Sequence, residues 1–388
     1  MMVAVRLHHA LAVAIVAALV GGCTPSGDEL AGPGAQPGPS TLALGPTATA
    51  DPTPPTTPGT SATPDPAATP EPAATPEQTA TPEGQASSSP EGTPDAAAPP
   101  HPVSLPALMQ ARYDGGALRL GAVVTSNAAF TTYAVTYRSS GLRISGLLYV
   151  PNGDGPFPAV VMNHGYIDPD VYVTGQGLRY EADYLVRSGF VVLHTDYRNH
   201  AGSDRDPRND LRLRLGYTED TINAVRALRR SGLPQVDPER IGMLGRSMGG
   251  GVTLNAIVVR PRVVDAAVIY ASVSSNTVDN HRKWTRGGRP ALADRIEARY
   301  GSPRENPEFW RNVSPRTFAD RVAVPVLVHH GTADETCPIE WANATVKALR
   351  AGGADVTYRR YPGEGHAFSQ AWAGSMAETV TFLRANLR

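Results

Sequence analysis

The sequence predicts an α/β fold, a mostly parallel sheet with helices on both faces, on three observations. From about position 133, short apolar runs alternate with helix-length amphipathic segments, and such alternation places helices on both sides of a parallel sheet. The apolar run Ile241-Gly242-Met243-Leu244 passes through Gly245-Arg246-Ser247-Met248-Gly249 directly into a helix-like segment, Gly250–Val258. Two later apolar runs, Val324–His330 and Val356–Tyr361, each end in a loop bearing an ionisable residue, Asp334 and His366.

The elements follow in order. Tyr133–Tyr137 and Leu142–Val150, joined by Ser139-Ser140-Gly141, read as an opening hairpin. Phe157–Met162 is a strand leading into Asn163-His164-Gly165-Tyr166. Val191–Leu193 is a strand followed by Asp196–His200, residues that suit packing better than catalysis. Thr218–Arg230 is a helix, Ala266–Ala271 a strand, Ile339–Arg350 an amphipathic helix, and Gly374–Leu387 a closing helix. Residues 275–320 exceed an ordinary connection and contain Trp284, Tyr300 and Trp310. They read as a small helical cap over Ser247, although their arginines suit a solvated loop equally well. Residues 103–388 fit one globular domain.

The motif G-x-S-x-G between strand and helix forms a strained elbow that exposes a serine hydroxyl. Such a hydroxyl needs a histidine base, and the base needs a carboxylate to fix its tautomer. Chain order then points to Ser247 as nucleophile, Asp334 as acid and His366 as base, with Glu335 a neighbouring alternative acid. Glu364 lies close to His366 as well, and His329 and His330 fall in an apolar run that suits core positions. An oxyanion hole takes one backbone N–H from the residue after the nucleophile, here Met248. The second donor is expected from the loop after an earlier strand, where Gly165 lets the chain turn inward and Tyr166 offers its N–H.

Several short stretches in order resemble the catalytic domain of the prolyl-oligopeptidase family of serine peptidases. They are Tyr300-Gly301-Ser302-Pro303, Asn306–Trp310, Ser314-Pro315, Pro325-Val326-Leu327, His330–Asp334 and Tyr361–Phe368. The resemblance spans about residues 133–388 and implies an α/β-hydrolase fold, Ser247, Asp334 and His366 as triad, and cleavage of peptide or ester bonds in small substrates without a cofactor. A carboxylesterase of the dienelactone-hydrolase type carries the same constellation, and a non-catalytic binding module is the remote alternative. Two departures stand out. Cys337 occupies the place before Pro338 where the family has an aliphatic residue, and the β-propeller that screens peptides by size in the family is not found ahead of this domain.

The remaining sequence concerns location and partners. A basic start, Met1–Arg6, precedes the apolar run Leu11–Val20 and then Gly21-Gly22-Cys23. The run is shorter than the ~20 residues a bilayer crossing needs, so 1–22 reads as a secretory signal. Small residues before a cysteine resemble the bacterial lipoprotein box, with Cys23 lipidated and the chain held on the membrane outside the cytoplasm. Ordinary signal cleavage is the alternative. Residues 23–102 hold 20 of the 36 prolines, and the first aromatic of the chain is Tyr113. This composition cannot bury enough surface to offset ordering and reads as a disordered, extended tether. From position 101 onward 34 basic residues face 27 acidic ones, but the arginines are scattered, which gives no support to nucleic-acid binding. His164, Asp196 and His200 lack metal-site spacing, and no phosphate loop with a lysine is present, so neither a metal nor a cofactor is expected.

Overall fold

The computed structural model describes residues 99–388. The lipidation reading at Cys23 and almost the whole tether therefore lie outside the described residues. The chain enters the fold through Ser104, whose hydroxyl accepts from Ala107 N at 3.1 Å and caps α1 (Leu105–Gln110). Three antiparallel strands follow: β1 (Arg119–Ser126), β2 (Phe130–Ser139) and β3 (Leu142–Pro151). Ser140 and Gly141 both take positive φ, 49° and 83°. This is the backbone that lets a two-residue turn match the twist of the strands beside it. The β2–β3 hairpin is longer than the sequence predicts, and β1 was not expected at all.

Strands and helices then alternate as β4 (Phe157–Asn163), α2 (Arg179–Arg187), β5 (Val191–Thr195), α3 (Gly216–Arg229), β6 (Val236–Arg246), α4 (Met248–Val259) and β7 (Ala266–Tyr270). Residues 277–321 are helical in short pieces: α5 (Thr277–Asn280), a π-helical turn His281–Arg286, α6 (Pro290–Tyr300), α7 (Pro307–Asn312) and a 3₁₀ stretch Pro315–Arg321. The chain closes with β8 (Val326–Gly331), α8 (Ile339–Ala351), β9 (Val356–Tyr361) and α9 (Trp372–Asn386).

Among the described residues the nine strands form one sheet in the order β1-β2-β3-β5-β4-β6-β7-β8-β9, antiparallel as far as β5 and parallel from there. Successive side chains of a strand face opposite ways, and the cores divide accordingly. Val161, Leu193, Met243, Ile269 and Val328 pack with Ile222 of α3, Leu254 of α4 and Leu349 of α8. Val160, Val192, Leu244, Val268 and Leu327 pack on the other face with Leu185 of α2 and Met376 and Leu383 of α9. Strands buried on both faces read as unbroken apolar runs, and the carboxyl ends of β4, β6, β8 and β9 deliver the loops that build the site.

Candidate active site

Ser247 sits between β6 and α4 at φ 57°, ψ −122°, a conformation that strains any residue with a side chain. Two glycines allow it. A Cβ on Gly249 would collide with the carbonyl of Asn163, and one on Gly245 with the carbonyl of Gly249. The elbow is fixed by Ser247 N donating to Tyr270 O at 3.0 Å and Val273 N donating to Ser247 O at 3.2 Å. Arg246 is held from the side by Glu181 of α2 at 3.2 Å.

The loop after β4 lies against Ser247. A Cβ on Gly165 would stand 3.2 Å from Ser247 Cβ. Asn163 anchors that loop, donating to Thr253 Oγ1 of α4 and accepting from Thr221 Oγ1 of α3, both at 2.8 Å. Met248 is the first residue of α4, where N–H groups lack intrahelical partners and carry the positive end of the helix dipole. Tyr166 follows Gly165 and its ring is half exposed, with the Arg214 guanidinium 4.4 Å from the ring centroid.

Asp334 and His366 meet at the ends of β8 and β9. His366 Nδ1 donates to Asp334 at 2.9 Å (Oδ2) and 3.1 Å (Oδ1). Asp334 Oδ1 also accepts from Thr336 N at 2.9 Å and Cys337 N at 2.7 Å. Burial alone would push this carboxyl up, but the His366 hydrogen bond and the Cys337 N–H hold it below the usual carboxylate range. Glu335 is exposed. Glu364 accepts from Ser369 N and Ala371 N at 2.7 Å each, bracing the loop that carries His366. Ser247 and His366 line one cavity of about 600 Å³. No hydrogen bond joins them among the described residues.

The chain matches the model of the prolyl oligopeptidase family over residues 176–387, more than half of its 388 residues. It belongs to the prolyl oligopeptidase family. The match starts after β4, later than the resemblance read from the sequence. The family member is 28% identical over 236 residues to an uncharacterized peptidase, YuxL, of Bacillus subtilis (strain 168), covering 59% of this chain and 34% of the relative. It is 31% identical over 172 residues to acyl-coenzyme A thioesterase 1 of Rattus norvegicus, covering 40% of this chain and 37% of that one. A puromycin-hydrolyzing peptidase of Mycobacterium tuberculosis superposes with a TM-score of 0.54 at 26% identity, over 68% of this chain and 40% of that one. The chain thus spans about a third of the length of these curated relatives.

Other residues singled out by sequence prove structural in this family member. His164, His200, Tyr172 and Tyr197 stack together, with His164 ring centroids 4.5–5.1 Å from the other three. Asp196 accepts from Ser145 Oγ at 2.7 Å, Tyr172 OH at 2.8 Å and Thr174 Oγ1 at 3.0 Å. Arg198 is buried between Asp206, Glu219 and Asp220 at 2.8–3.1 Å. His329 bonds Tyr361 OH and Thr379 Oγ1, while His330 bonds the Cys337 carbonyl.

One mixed ligand set lies close enough to hold an ion among the described residues. A carboxylate oxygen of Asp334, Cys337 Sγ and a His366 ring nitrogen fall within 4.8 Å of one another. Burial pushes the Cys337 thiol up to about 12, reinforced by the Asp334 charge, so it stays protonated at neutral pH, whereas metals bind the thiolate. An ion there would also have to part the Asp334–His366 bond. Asp210, Leu213, Arg214 and Arg289 line the cavity too, and none was expected. The only sequence signal was an Asp-Leu-Arg-Leu-Arg run in a loop, in a chain with arginines throughout.

Proposed function

We propose that the chain is a serine hydrolase that cleaves peptide or ester bonds through Ser247, His366 and Asp334. The observation that carries this is the strained Ser247 in one cavity with a histidine whose far nitrogen is engaged by a buried carboxylate. With Nδ1 donating to Asp334, the His366 ring presents Nε2 as a base. Ser247 Oγ attacks the carbonyl carbon while Nε2 takes its proton. The oxyanion is held by the Met248 and Tyr166 N–H groups. Collapse expels the leaving group, protonated by His366, and leaves an acyl-enzyme that a water activated by His366 then hydrolyses. Losing one oxyanion donor costs about 3 kcal/mol of transition-state stabilisation. The likeness to peptidases supports the amide reading, and the likeness to a thioesterase supports the ester reading.

A fluorophosphonate probe tests the core of this proposal. Wild-type protein is expected to label, and Ser247→Ala to lose labelling completely. Labelling that persists in the variant rules out Ser247 as nucleophile. A panel of aryl esters and aminoacyl or prolyl amides then separates esterase from peptidase.

We further infer export and lipidation at Cys23, supported by the basic start, the short apolar run and the small residues before the cysteine. Residues 23–102 would serve as the tether of a catalytic domain spanning 103–388. No described helix is long and apolar enough to cross a membrane. One acyl chain anchors only marginally, so stable attachment takes the several chains that such a cysteine carries. Full-length protein expressed in bacteria should fractionate with membranes, and Cys23→Ser should release it or leave it unprocessed. Soluble wild-type protein with a different N-terminus would overturn the anchor alone.

A further inference from the structure

The cavity wall beside Ser247 holds more positive charge than its own contacts use. Arg214 Nε donates to Asp210 Oδ1 at 2.7 Å, and Arg289 Nη1 donates to Asp210 Oδ2 at 2.8 Å. One carboxylate therefore serves two guanidiniums. Arg214 Nη1 lies 3.7 Å from Met248 Sδ, on the residue after the nucleophile. Tyr166, beside the nucleophile on the loop after β4, has the Arg214 guanidinium 4.4 Å and the Arg289 guanidinium 6.0 Å from its ring centroid. Leu213 and Arg214 are both left-handed, at φ 52° and 59°, and consecutive strained residues of this kind are kept where a side chain must be aimed.

The other ionisable groups of the lining include two histidines, each paired with a carboxylate outside it. His281 faces Glu297 at 2.7 Å, and His366 faces Asp334. In the lining itself two guanidiniums stand against a single carboxylate, in a wall otherwise rich in apolar side chains such as Leu215, Val252 and Leu292. A guanidinium carries five donors. The bonds above use two on Arg214 and one on Arg289 among the described residues, so both keep N–H groups for a ligand.

We propose that Arg214 and Arg289 form a subsite for a carboxylate carried by the substrate, away from the carbonyl that Ser247 attacks; this rests on the serine-hydrolase reading. The planar guanidinium fork matches a carboxylate, and the apolar walls reduce screening by water. The carboxylate belongs either to the acyl part, as in a half-ester of a dicarboxylic acid, or to the leaving part, as in a peptide with a free C-terminus.

Two matched substrate pairs distinguish these sources. One compares the aryl ester of hydrogen glutarate with that of methyl glutarate. The other compares an acyl-dipeptide with a free carboxylate and its C-terminal amide. The expected result is an anion preference in kcat/KM of about tenfold or more in one pair, shrinking with added salt. The ratio should collapse in Arg289→Met and recover in part in Arg289→Lys. Arg289 is the residue to vary because its side chain is 36% exposed, so truncation leaves the core intact. A purely structural clamp between the loop and α6 predicts lower stability with an unchanged ratio. A ratio near one in both pairs, or one that survives Arg289→Met, overturns the subsite. Fluorophosphonate labelling keeps the two readings apart, because labelled protein without anion preference sinks only the subsite. If neither labelling nor turnover occurs, the hydrolase reading fails, and calorimetry with glutarate decides the subsite: binding that is absent or independent of Arg289 overturns it.

Discussion

Ser247 adopts its φ of 57° at a cost of about 1–3 kcal/mol, offset by the packing of β6 and α4 on either side. Asp334 shows the opposite economy. It is buried and its carboxylate accepts from two backbone N–H groups and a histidine, so little desolvation is left uncompensated. Replacing it by asparagine puts an amide where a carboxylate oriented the ring, and the His366 tautomer reverses. Asp334→Asn is expected to fold and to lower kcat by roughly 10⁴. Steady-state kinetics beside Glu335→Gln check this: the Glu335 variant should stay close to wild type, and the reverse pattern would move the acid to Glu335.

The elements differ in how far the sequence announced them. Strands β4 to β8 are buried on both faces, so their apolar runs were legible, and so was the elbow, whose two glycines are dictated by close backbone approach to Asn163 and within the turn. Strand β1 was not, because all eight of its residues are exposed and no core-facing alternation marks it. The cap was legible only as an overlong connection, since its helices of four to eleven residues are too short to show a clear period. Spacing from the end of β8 favoured Asp334 over Glu335 in the sequence, and the structure adds a physical separation, because Asp334 is buried and accepts from Cys337 N while Glu335 is exposed. Arg214 and Arg289 come together only when the loop before α3 meets the residue before α6, and nothing local to either position signals that.

At the scale of the molecule, burial disfavours the charged form of five histidines among the described residues. Burial lowers His194 to about 4 and His329 to about 3, and it lowers His164, His200 and His330 as well. In the unfolded chain each takes a proton near pH 6.5. Between that value and the lower folded one the unfolded state binds more protons, so stability is full above about pH 6.5 and falls as the pH drops below it. Such a group adds at most about 1.4 kcal/mol per pH unit to the slope, and only between its two values. Denaturant unfolding from about pH 7.5 to about pH 5 should show a steady loss of stability on the acid side, and a flat profile would contradict neutral burial.

Strand β9 is the last in the sheet and pairs only with β8, and the loop leaving it carries His366. His366 therefore comes to Asp334 only when this edge strand has docked on β8. On the proposed mechanism, a species in which this outer strand has not docked should be inactive, however native its interior. Turnover would thus report that the β8–β9 edge of the sheet has closed, a local event that helix content does not single out.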